Sequence, residues 1–70
     1  MLWIIKNDTS YQIVSCNMFH NIETGMHELW VTRHNGKNLK IEEDVEKEKV
    51  LLVKEAIDYA IEHNETTLRL

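Results

Sequence analysis

Glu28-Leu29-Trp30-Val31-Thr32-Arg33-His34-Asn35-Gly36-Lys37-Asn38-Leu39-Lys40-Ile41-Glu42 places two strand-forming runs on either side of an Asn-Gly pair. Asn-Gly accepts the positive φ angles of a two-residue type I′ turn, whose twist matches that of the strands it joins. With Asn35 and Gly36 as the loop, counting outward pairs His34 with Lys37, Thr32 with Leu39 and Trp30 with Ile41. This register puts Trp30, Leu39 and Ile41 on one face. Leu29 and Val31 then share the other with Arg33, Asn38 and Lys40.

Upstream, Leu2–Lys6 and Tyr11–Cys16 are rich in β-branched and aromatic residues, and the polar stretch Asn7–Ser10 between them reads as a turn. These segments make a first hairpin. Residues 17–27 carry apolar and polar side chains without a clear period and read as a long loop between hairpins. Downstream the period becomes helical from Asp44 to about His63, with Asp44 as N-cap and Asn64 as a left-handed terminator. Val50, Val53, Ala56, Ile57, Ala60 and Ile61 form the apolar stripe of this helix. Leu52 and Tyr59 widen the stripe, Leu51 lies opposite it, and Glu46 and Lys49 would interrupt it near the start, so the first turns should stand clear of the core. Thr66–Leu70 alternates as a short last strand would. The expected fold is α+β: an antiparallel sheet of four strands, or five with that last one, and one long helix across one face.

Seventy residues, 43% of them hydrophobic and 29% charged, hold one core, so residues 1–70 form a single domain. The lone cysteine, Cys16, excludes an internal disulfide and suits a reducing compartment. The apolar start Met1–Ile5 is too short for a secretory signal, and no run approaches the roughly 18 apolar residues of a membrane span, so a cytoplasmic location is expected. The net charge of -4 is unevenly distributed. Residues 1–40 carry four basic and three acidic side chains, and residues 41–70 carry four basic and nine acidic ones.

Cys16, His20, His27 and His34 lack the close paired spacing of a zinc site, and a strand through residues 27–34 would send its two histidines to opposite faces, so no metal is expected. Cys16 has no nearby cation or helix N-terminus in sequence to activate it and reads as a small buried hydrophobe. Asp8, Asp44 and Asp58 fall in a turn, a cap and a helix exterior, and Gly25 and Gly36 stand alone, so neither a catalytic carboxylate pair nor a phosphate loop is visible. No enzyme activity and no cofactor are expected.

Two functions fit these residues. The first is a small acidic interaction or accessory protein that holds an unknown protein partner through Glu42, Glu43, Asp44 and Glu46 and self-associates as a homodimer through Trp3, Leu51, Leu52 and Tyr59. Its size and its richness in Ile, Asn, Lys and Glu suit a phage or mobile-element gene. The second is single-stranded nucleic-acid binding through Trp30, Arg33, Lys37 and Lys40 around the second hairpin. The order of four strands and a helix resembles that of small single-strand-binding coactivator modules, in element order alone.

Overall fold

In the computed structural model, which describes residues 1–70, five strands form one sheet and one helix covers one of its faces. The elements are β1 (Leu2–Lys6), β2 (Thr9–Asn21), β3 (Met26–Arg33), β4 (Asn38–Asp44), α1 (Lys47–Glu62) and β5 (Thr67–Arg69), and the sheet order is β4-β3-β2-β1-β5. The first four strands pair antiparallel. The short last strand is present and runs parallel to β1, with Trp3 opposite Thr67, so the sheet is mixed. This follows from the route of the chain: at about 1.5 Å per residue the 16-residue helix is about 24 Å long, enough to cross four strand spacings of about 4.8 Å and deliver β5 to the far edge. No helix is long and apolar enough to cross a membrane.

The turns account for most departures from the sequence expectation. Asn7 (φ 51°) and Asp8 (φ 63°) both adopt the left-handed region, so the first turn has two residues and β2 begins at Thr9. Residues 17–27 are not a loop. β2 continues to Asn21, and a four-residue turn returns the chain to Met26. The Asn21 side-chain oxygen accepts the backbone N–H groups of Glu23 (3.1 Å) and Thr24 (3.4 Å), and the Gly25 N–H (φ 76°) donates to the Asn21 carbonyl at 2.8 Å.

At the Asn35-Gly36 turn only Gly36 has positive φ, 85°, and the Arg33 N–H donates to the Lys37 carbonyl at 2.8 Å. The loop therefore contains three residues, His34–Gly36. That one extra residue shifts the register: Thr32 faces Asn38, Val31 faces Leu39 and Trp30 faces Lys40. A one-residue slip exchanges the two faces of a strand. Leu29 and Val31 thus turn toward the helix with Leu39, and Trp30 goes to the opposite face. A bulge next to Trp30 leaves Ile41 unpaired and turned into the core, with Leu29 resuming opposite Glu42.

The core is one layer thick. Leu2, Ile4, Ile13, Cys16, Leu29, Val31 and Ile41 from the sheet pack against Val50, Ile57 and Ala60 of α1. The helix starts at Lys47 with Glu46 in place of Asp44 as the N-cap residue, two residues later than expected, because β4 continues through Asp44, whose carboxylate accepts the Glu46 N–H at 2.8 Å. It ends as expected at a left-handed Asn64 (φ 54°), with the Asn64 N–H bonded to the Ile61 carbonyl and the Glu65 N–H to that of Ala60. Ala56 is exposed and Leu51 half-buried, the reverse of the expected stripe, so the helix is rolled to bring Lys54 and Asp58 toward the sheet. Glu46 and Lys49 stand exposed, as the sequence requires.

Ile57→Ala should cost about 2–5 kcal/mol in urea unfolding, enough to unfold a domain of this size in part, whereas Leu52→Ala, at a side chain 67% exposed, should shift stability by about 0.5 kcal/mol or less.

Candidate functional site

The helix covers one side of the sheet and leaves the other bare. β2 contributes Asn17 and Phe19 to the bare face, directly opposite Trp30 and Glu28 of β3, and Thr32 of β3 lies opposite Asn38 of β4. These six side chains line a depression of about 360 Å³. Phe19 is 57% exposed on its rim and Trp30 is half-buried. The Thr32 hydroxyl donates to the Asn38 side-chain oxygen at 2.9 Å, which fixes the β4 wall.

Glu28 is the unusual member. It is 7% exposed, the one charged residue among the buried ones. Its carboxylate accepts the Trp30 indole N–H at 2.9 Å and the Asn21 amide at 3.3 Å. Both donors are neutral, and Glu28 makes no ion pair. The Trp30 hydrogen bond chiefly holds the Glu28 carboxyl below its ordinary range; removal from water acts the other way, and the Asn21 amide and the Lys40 charge assist. Lys40, facing Trp30 on the same side of the sheet, is engaged by Glu43 at 3.0 Å, and that bond raises its pKa.

The expected interaction residues are divided between faces. Glu42 turns toward the helix side, where Lys6 bonds to the Ile41 carbonyl and lies 3.4 Å from the Glu42 carboxylate. Glu43 sits opposite Glu28 with Lys40, Asp44 bonds the Glu46 N–H, and Glu46 is the residue before the helix, 4.0 Å from Lys49. Three of the four acids thus have partners within the chain other than each other. Trp3 (40% exposed) lies on the sheet face away from the helix, whereas Leu52 and Tyr59 lie on the helix exterior and Leu51 is half-buried, so these four do not form one patch. Of the hairpin residues, Trp30 and Lys40 share the bare face, Lys37 is at the turn, and Arg33 turns to the helix side over the Tyr11 ring, 5.8 Å from its centroid. The sequence reading missed Glu28, Phe19 and Asn17. The available signal was the shared parity of Glu28 with Trp30 and Thr32, which obliges a charged residue to share a face with an aromatic one.

A second polar cluster lies between sheet and helix. The buried Cys16 thiol donates to Asp58 Oδ1 at 3.1 Å, and Lys54 Nζ donates to Asp58 Oδ2 at 2.5 Å. Asp58 is therefore half-buried against β2 rather than on the helix exterior. Burial opposes its ionisation, but the Lys54 and Cys16 hydrogen bonds outweigh that and lower its pKa. Burial, then the Asp58 hydrogen bond and charge, push the Cys16 thiol up to about 12 against the opposing charge of Lys54. The cluster holds a thiol inert. His20 and His27 face each other across β2 and β3 with rings stacked 4.3 Å apart, and no group of three metal-ligating side chains converges anywhere in the chain.

No family model, curated protein or solved structure matches this chain.

Two outcomes follow from these pKa directions. The stabilisation that Glu28 contributes is complete above the ordinary value of 4.5 and lost as pH falls through its lower folded value. In a Trp3→Phe background, Trp30 emission should stay constant from neutral pH to 4.5 and change below it, and Glu28→Gln should abolish that change. At mildly alkaline pH, iodoacetamide should alkylate Cys16 far more slowly in the native protein than in urea, and Asp58→Asn should speed the native reaction.

Proposed function

We propose that this chain is a non-catalytic protein-interaction module that presents the bare face of its sheet to another protein. The observation that carries this reading is the depression around Trp30, where Phe19 offers exposed apolar surface beside polar groups at fixed positions on strands. Aromatic anchors next to oriented hydrogen-bonding groups are the usual centre of a protein interface. The inert thiol supports a role without covalent catalysis and suits a reducing compartment such as the cytoplasm.

This reading moves the interaction surface from the acidic run to the sheet. Glu42 and Glu43 are engaged by lysines of the same chain, so they offer less charge to a partner than their number suggests. The nucleic-acid alternative is weakened by the same geometry. Trp30 donates its indole N–H to an ionised carboxylate that repels phosphate, and Arg33 is directed to the other side of the sheet.

A photo-activated crosslinking side chain at position 17, on the bare face, should capture a protein partner in cells, and the same group at position 55, on the helix exterior, should not. Equal capture from both positions, or capture from position 55 alone, would contradict the assignment.

A further inference from the structure

We infer that the depression on the bare face receives an arginine side chain of the partner protein, with Glu28 as its counter-ion. The inference rests on the protein-interaction reading and specifies its chemistry.

Buried carboxylates in folded proteins are ordinarily paired with a cation or fully hydrogen-bonded. Glu28 has one neutral donor on each oxygen, Trp30 Nε1 on Oε1 and Asn21 Nδ2 on Oε2, so each oxygen keeps acceptor capacity. The nearest cation, Lys40, is held by Glu43, and these two charges cancel. What remains in the depression is the single negative charge of Glu28, on a chain whose net charge is -4. Complementarity calls for one positive group.

The walls distinguish between cations. A guanidinium is planar, stacks on aromatic faces and gives parallel N–H donors to a carboxylate. Phe19 and Trp30 supply aromatic surface on adjacent strands, and Asn17, Thr32 and Asn38 supply polar rims. An ammonium would use the charge but not the aromatic planes to the same extent. A phosphate-bearing strand is repelled by the uncompensated charge of Glu28.

The test titrates the whole ¹⁵N-labelled chain with blocked pentapeptides Gly-Ser-Xaa-Ser-Gly, in which Xaa is arginine, citrulline or leucine, and with oligothymidylate. The arginine peptide should move the amide signals of Asn17, Phe19 and Glu28 and the Trp30 indole signal, with a Kd of about 1 mM, and citrulline should bind about tenfold more weakly. Glu28→Gln, its fold checked by spectral dispersion, should lose about the same factor. Equal binding of arginine and citrulline, absence of arginine binding at this face, or no loss in Glu28→Gln would overturn the inference. Leucine binding at the same residues as tightly as arginine would also overturn it while leaving the protein-interaction reading intact. Oligothymidylate binding there in place of the arginine peptide would remove both. The citrulline comparison uses the unaltered protein, so it decides even if the variant fails to fold.

Discussion

Full burial of Leu29 and Val31 against the helix is the constraint on which the rest of this molecule depends. Both lie on β3, next to the β4 edge and in contact with the long β2, and neither retains exposed surface. Side chains alternate along a strand, so burying these two requires Glu28, Trp30 and Thr32 to emerge on the other side. The composition of the bare face is thus a consequence of packing the covered one. A one-residue change of register between β3 and β4 would send Leu39 to the bare face and Lys40 toward the helix.

The single helix explains why such a face exists. Through Val50, Ile57 and Ala60 it packs only on the side of the sheet that carries Leu2, Ile4, Ile13, Leu29 and Val31, and it leads the chain from β4 to the far edge. Where it does not reach, Lys6 spans from β1 to the Ile41 carbonyl and Glu42, closing that end of the core with a charged strap instead of a second helix. Ionised groups are treated differently on the two sides. Beneath the helix, Lys54, Asp58 and Cys16 satisfy one another, so charge there is internally compensated. On the bare face Glu28 has hydrogen bonds but no counter-charge. This asymmetry, and not the overall acidity, distinguishes the candidate site.

Much of the architecture was legible in the residues. The two hairpins, the helix with its Asn64 terminator, the exposed Glu46 and Lys49 and the short last strand all follow from local patterns that tertiary contacts reinforce. The departures have separate physical sources. Turn length sets register, and both a two-residue type I′ loop and a three-residue loop with a left-handed glycine suit Asn35-Gly36. The two-residue choice grouped Leu39 with Trp30, whereas the three-residue loop sets Leu39 beside Val31 on the face that the helix covers. Residues 17–21 read as a loop because neither face of that half of β2 is uniformly polar or apolar: Met18 packs near the core, Asn17 is polar and Phe19 is exposed on the bare face. Glu28 shares a face with Trp30 in either register, but its place among site residues depends on that face being the one the helix leaves bare, which the two-residue reading did not decide. Asp58 was placed outside because Lys54 beneath the helix breaks the apolar stripe that locates the buried face.

The register of β3 against β4 is the point at which fold and function meet, and nuclear Overhauser contacts measure it directly. Cross-strand contacts between Trp30 and Lys40 and between Val31 and Leu39, with the Trp30 indole proton close to the Glu28 side chain, are the predicted result. Contacts pairing Trp30 with Ile41 and Thr32 with Leu39, with the indole ring against the methyl groups of Val50 or Ile57, would contradict the account.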